Sequence, residues 1–123
     1  MLSKEKIMAF VGVRNADQAR AFYRDTLGLS LISEDAFALA FDVSGVMLRV
    51  TPVKEVNPQP HTVLGWQVSD AATTARSLAK AGVQFERFPG FSQDDDGIWT
   101  APGGAKIGWF KDPDGNILSI AQL

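Results

Sequence analysis

Cysteine is absent from this 123-residue chain, and histidine occurs once. The missing thiols exclude a disulfide framework, a thiolate zinc site and a cysteine nucleophile. Long apolar runs are missing too, and nothing approaches the roughly 20 residues that span a bilayer. The opening "MLSKEKIMAFVGV" lacks a long apolar core and a small-residue cleavage pattern, so no signal peptide is expected. The expectation is a soluble cytoplasmic protein. No run of basic residues occurs, and 12 Lys and Arg against 14 Asp and Glu give a net charge of −2 and a pI near 5.2. That balance excludes nucleic acid and a membrane surface as expected partners. A nucleophile elbow, a P-loop and a dinucleotide fingerprint are all lacking. Glu34, Asp35 and Asp42 fall at strand ends or turns and form no acid–base pair. No catalytic residue is assigned.

What is present is an ordinary globular composition, 46% hydrophobic and 21% charged. The length suits one domain with its own core. "KIMAFVGV" reads as a strand, and Asn15 as the cap of a helix carrying Ala16, Ala19, Phe22, Tyr23 and Leu27 at helical spacing. Gly28 is the expected end of that helix. "LSLISED", "FALAFDV" and "VMLRVTPV" read as three strands. After "NPQP" the pattern restarts: "HTVLGWQV" is a strand, Asp70 caps "AATTARSLAKA", and Gly82 ends it. "VQFERF", "AKIGWF" and "NILSIAQL" are the remaining strands. Asp114-Gly115, before the last of them, is a dipeptide suited to a tight hairpin.

The two halves match. Val13 and Asn15 correspond to Val68 and Asp70 at an offset of 55, whereas Gly28 corresponds to Gly82 at 54. "GVMLRV" from Gly45 corresponds to "GNILSI" from Gly115 at 70. Two tandem βαβββ modules account for this order, which gives an α+β protein. One domain, 1–123, holds module one (5–53), a linker (54–60) and module two (61–123).

With "AFYRDTLGL" in the first half, "AKAGV" after the second helix and "FKDPDGNILSI" at the end, the chain resembles the vicinal oxygen chelate superfamily. That superfamily includes glyoxalase I, extradiol dioxygenases and bleomycin-resistance proteins. The resemblance implies a mixed sheet curled around a cleft, usually in a homodimer. Its metal-dependent members hold a divalent ion with His, Glu or Gln at four strand positions. Here those positions read Met8, Arg49, Val63 and Ser119, and Ser119 stands where D-P-D-G-N-x-x-E has its glutamate. None is a usual ligand, and a guanidinium repels a cation. His61 lies two residues from the expected place, roughly 6.6 Å along a strand. No metal or other cofactor is therefore expected.

Strand alternation assigns Met8, Phe10 and Gly12 to the cleft, along with Met47, Arg49, Val63, Gly65, Gln67, Ile117, Ser119 and Ala121. The walls are mainly apolar, with a few polar groups to orient a ligand. Arg49 needs a salt bridge to a neighbour such as Asp42 or Glu86, a snorkelling path to water, or a bound anion. Trp109 reads as core, interface or ligand-stacking, and Trp99 as a contact from a mobile loop. Asp94, Asp95 and Asp96 read as a solvated loop.

The expected ligand-binding residues are Met8, Phe10, Met47, Arg49, Val63, Gln67, Trp99, Trp109 and Ser119. The function expected is a metal-independent small-molecule binder, related to the bleomycin-resistance branch, taking an apolar, aromatic or anionic ligand. The alternative is a glyoxalase- or dioxygenase-like metalloenzyme with shifted ligands, such as His61 and Gln67 with a loop carboxylate.

Overall fold

Helix formation in the first half begins at Asn15, whose backbone is still extended (φ −130°, ψ 115°) and whose Oδ1 accepts the Gln18 N–H at 2.9 Å. In the second half Asp70 does the same with the Thr73 N–H at 3.1 Å. Each cap satisfies a donor that the first helical turn leaves without a partner. The computed structural model describes all 123 residues and divides into two units, Met1–Asn57 and Pro58–Leu123.

The first unit runs β1 (Met8–Val13), α1 (Ala16–Arg20), a π-helical segment (Ala21–Thr26), β2 (Ser30–Glu34), β3 (Leu39–Val43) and β4 (Val46–Pro52). Its sheet order is β1-β4-β3-β2, with β1 parallel to β4 and the other pairs antiparallel. The second unit runs β5 (Leu64–Gln67), α2 (Ala71–Lys80), β6 (Trp99–Thr100), β7 (Lys106–Lys111) and β8 (Ile117–Gln122). Its order β5-β8-β7-β6 repeats the pattern, again with one parallel pair. The fold is thus two βαβββ-like modules with two mixed four-stranded sheets. No helix is long and apolar enough to cross a membrane.

Period-2 burial holds each sheet to its core. Val11, Val13, Leu48 and Val50 are buried in the first unit, where Tyr23 lies 6.2 Å from Phe41 between ring centroids. Phe110, Leu118 and Ile120 are buried in the second, with Ala71 and Ala75 of α2. Each large apolar side chain so removed from water stabilises the fold by roughly 1.5–3 kcal/mol.

Three local expectations change. The first helix is α only to Arg20. The next turn is π, with Leu27 N–H bonded to Phe22 O at 2.9 Å. This turn absorbs the extra residue seen when 54 replaces 55 in the repeat. In α2 the closing bond runs from Val83 N to Leu78 O, five residues back; in the first helix it runs from Leu29 N to Tyr23 O, six back. Gly82 and Gly28, at φ 100° and 74°, supply the left-handed turn in both.

Second, "VQFERF" is not a strand; Phe85 makes only an isolated bridge to Phe110. Beyond it the Gln93 amide takes the Glu86 carbonyl and the Phe88 N–H, at 2.9 and 2.8 Å, that a neighbouring strand would need. Third, Asp114-Gly115 does not form a two-residue hairpin. Lys111 pairs with Ile117 across a five-residue loop. Its organiser is Asp112, whose Oδ1 accepts the Asp114 and Asn116 N–H groups at 3.0 and 2.9 Å and whose Oδ2 accepts Asn116 Nδ2 at 2.8 Å.

Candidate functional site

On the first unit's sheet, the face opposite the buried valines carries Met8 beside Met47 and Phe10 beside Arg49. Arg49 lies opposite Ala40 on β3. Met8, Phe10 and Met47 are 45, 61 and 43% exposed, so this face is apolar and open within its own unit. Met8, Met47, Ile7, Ile32, Lys6 and Asp42 border a cavity of about 480 Å³.

Arg49 is half-buried, and its guanidinium makes no hydrogen bond or ion pair. The partners expected for it are engaged elsewhere: Asp42 accepts the Gly45 N–H at 3.1 Å, and Glu86 pairs with Lys111 at 3.6 Å. Its charge is felt at Asp35, whose carboxyl is held below the ordinary carboxylate range. There the N–H groups of Phe37 and Ala38 dominate and Arg49 adds a smaller electrostatic contribution. Glu34 is bound instead by Arg20.

On the second unit's sheet, Gly65, Ser119 and Trp109 form one row across β5, β8 and β7. Gln67, Ala121, Ile107 and Trp99 form the next. Ser119 is buried, and a Cβ at Gly65 would come within 2.9 Å of its Oγ, so the glycine makes room for the hydroxyl. Four rings gather on this face. Phe91 lies 4.7 Å from Trp99 and is stacked 5.6 Å from Trp109; Phe88 meets Trp109 edge-on at 5.5 Å, and the two indoles are 6.1 Å apart. These separations suit both edge-to-face and offset packing. Phe88, Phe91 and Trp109, with Pro60, His61, Thr62 and Ile117, line a cavity of about 220 Å³. His61 Nδ1 lies 3.1 Å from the Thr62 carbonyl, an acceptor, so a hydrogen bond there requires the proton on Nδ1.

The loop that carries Phe88 and Phe91 is tied by its own side chains. The Arg87 guanidinium donates to the carbonyls of Asp94 and Asp95 at 2.8 and 3.2 Å. Asp94 Oδ1 accepts the Asp96 and Ile98 N–H groups at 3.0 and 2.9 Å, and Asp96 meets Arg76 of α2 at 3.3 Å. Two carboxylates of the acidic run therefore serve as loop fasteners.

Among the expected site residues, Met8, Phe10, Met47 and Arg49 share the first unit's face, and Gln67, Trp99, Trp109 and Ser119 share the second's. Val63 is joined to the second sheet through its N–H to Ile117 O at 2.9 Å. Of the second-unit residues only Trp109 lines the cavity. Trp99 is a strand residue packed on Phe91, not a contact from an irregular loop. Phe88 and Phe91 were missed. The phenylalanines at 85, 88 and 91 are the available signal, obscured because "VQFERF" has the composition of a regular strand.

Four positions are those at which the resemblance places the ligands of a divalent ion. There Met8, Arg49 and Val63 offer a thioether, a cation and a hydrocarbon, and Ser119 offers one neutral hydroxyl oxygen in place of a carboxylate, imidazole or amide. No three His, Cys, Asp or Glu side chains converge elsewhere in the structure.

Comparison with known proteins agrees with this architecture. Residues 7–120 match the family model of the glyoxalase/bleomycin resistance protein/dioxygenase superfamily. A search of curated protein sequences gave no match. Similar crystal structures include a lactoylglutathione lyase from Agrobacterium tumefaciens, with TM-score 0.73, 15% identity and coverage of 97% of this chain and 93% of that one. A glyoxalase family protein from Enterococcus faecalis gives 0.71, 20%, 99% and 100%. An integron cassette protein from the metagenome of the Halifax Harbour sewage outfall gives 0.72, 23%, 98% and 99%. At these identities the likeness concerns the fold.

Proposed function

The chain belongs to the glyoxalase/bleomycin resistance protein/dioxygenase superfamily, and from that premise we propose that it is a metal-independent small-molecule-binding protein. Its ligand is aromatic and rests against the wall formed by Phe88, Phe91 and Trp109. The observation that carries this reading is the aromatic cavity: three ring-bearing side chains beside Ile117 and Pro60, with His61 and Thr62 as polar neighbours. Apolar walls with a few oriented polar groups are the usual composition of a small-molecule site. Metal independence rests on the donor chemistry at the four family positions.

Arg49 is the second element of the reading. A half-buried guanidinium with no ion pair attracts a carboxylate, phosphate or phenolate, so the first unit's face favours anionic groups. The protein acts as a homodimer, the second copy covering apolar side chains such as Ile7 and Phe37, each 76% exposed. Sedimentation at micromolar concentration giving only monomer would remove that part.

The central test is a thermal-shift series on metal-free protein. 2-Naphthol, a planar probe, is expected to raise the melting temperature and cyclohexanol is not, because a ligand that binds only the native state stabilises it. Elemental analysis after dialysis is expected to find less than stoichiometric zinc, nickel, manganese and iron. A stoichiometric metal, or equal shifts with both alcohols, would overturn the reading.

A further inference from the structure

Gln93 is not among the residues that line the aromatic cavity, yet its side chain holds the peptide groups from which the aromatic wall hangs. Its Oε1 accepts the Phe88 N–H at 2.8 Å, and its Nε2 donates to Glu86 O and Gly97 O, each at 2.9 Å. The Gln93 backbone forms a bridge with Trp99. Glu86 in turn donates its N–H to Trp109 O at 2.8 Å. The peptide of Phe88 is thus bonded to the Gln93 side chain directly and that of Trp109 through Glu86, while Trp99 is held opposite Gln93 by the adjoining bond from Asp94 N–H to Ile98 O at 2.9 Å. Phe91 lies two residues from Gln93 within the same closed loop.

From this connectivity we infer that Gln93 is the positioning residue of the aromatic cavity, setting its shape before any ligand arrives. The inference rests on reading the cavity as the ligand seat. An amide is the side chain that fits: the site asks for one acceptor and two donors at a single terminus, and glutamine supplies one carbonyl oxygen and an NH₂ group. Methionine, of similar length, supplies none of these. A glutamate keeps the acceptor for Phe88 but sets a carboxylate against two carbonyl oxygens. Organising the wall in advance removes the cost of ordering it on binding, which is the usual source of affinity in a preformed site.

The test compares wild type with Gln93→Met and Gln93→Glu, using 2-naphthol as probe and circular dichroism of the indole pair as a ligand-free readout. Two indoles 6.1 Å apart couple their transitions, so their signal reports the arrangement directly. Gln93→Met is expected to keep cooperative melting while losing the coupled indole signal and binding 2-naphthol about tenfold more weakly, a change of about 1.4 kcal/mol. Gln93→Glu is expected to lose the signal as well. Unchanged signal and unchanged affinity in both variants would overturn the inference. If neither variant folds, hydrogen exchange on wild-type protein decides. Slow exchange of the Gln93 side-chain amide and the Phe88 N–H supports the inference, and exchange at the free-amide rate overturns it. If wild type binds no 2-naphthol while the indole signal still depends on Gln93, positioning stands and the ligand reading falls.

Discussion

Two rows of three residues, one in each module, hold equivalent places in the repeat and differ at every position. In the first module the row is Phe10, Arg49 and Ala40; in the second it is Gly65, Ser119 and Trp109. The large ring sits on the outer strand in one and on the inner antiparallel strand in the other. A cation at the centre of one becomes a hydroxyl in the other. The two cavities keep a common plan all the same, since Lys6, Ile7 and Met47 in one correspond to His61, Thr62 and Ile117 in the other. One backbone plan, used twice, thus yields an open face with a guanidinium at its centre and a smaller cavity walled by rings. Side chains on this face are free to differ because the valines and leucines that hold each sheet to its core lie on the opposite face.

The strongest way to break this contrast is to exchange the ring. Trp109→Ala puts the first module's small residue into the second. It should cost about 3 kcal/mol of stability, in the range for losing a large packed aromatic, and abolish 2-naphthol binding. Ala40→Trp should fail differently, because Ala40 is only 5% exposed and overpacking costs about 1–3 kcal/mol. Denaturant titration and probe binding on both variants check the pair. Retained 2-naphthol binding in Trp109→Ala would remove the second module's claim to be the seat.

A smaller asymmetry lies in the glycines. At Gly65 a Cβ would meet Ser119 Oγ at 2.9 Å, whereas at Gly12 its nearest neighbour is a Val53 methyl at 3.4 Å. Gly65→Ala should therefore lower the melting temperature by several degrees and Gly12→Ala by little. Equal effects would show that the second row is less tightly set than its geometry implies. For the central position, Arg49→Ala should weaken the binding of benzoate at the first unit's face and leave 2-naphthol binding in the second unit's cavity unchanged, measured by calorimetry. Equal losses would reduce Arg49 to a packing residue.

The smallest expected effect concerns the helix caps. Thr73, mainly through its backbone N–H, holds the Asp70 carboxyl below its ordinary value of 3.8. A carboxyl lowered by folding contributes stability that is present above its unfolded value and is lost as pH falls through the folded one. Wild type should therefore lose part of the α2 cap as pH drops from about 4, and Asp70→Asn should flatten that part of the melting curve. Asn15, an amide, already lacks this dependence. Asn15→Ala should cost about 1 kcal/mol at any pH.

Much of the fold was legible because caps, glycines and period-2 alternation are local signals. Asn15, Asp70, Gly28 and Gly82 mark both helices, and the alternation around Val11 and Leu48 assigns the sheet faces. The π turn was visible only as a one-residue mismatch in the repeat, since no residue type specifies it. The candidate site was legible in part. Trp109 could be assigned to the face of Ser119 from its strand, but its association with Phe88 and Phe91 could not. That association depends on the Gln93 amide capturing peptide groups five to seven residues earlier and four later, and nothing in composition announces such a bond.

By itself the sequence determined the paired modules and the caps and glycine stops of both helices, because each follows from residue type at a counted position. Tertiary structure alone decided that four rings meet on one face and that Arg49 carries no ion pair. Those outcomes depend on which distant groups compete for the same hydrogen bond, and in three dimensions Gln93 took the groups that a strand would have used.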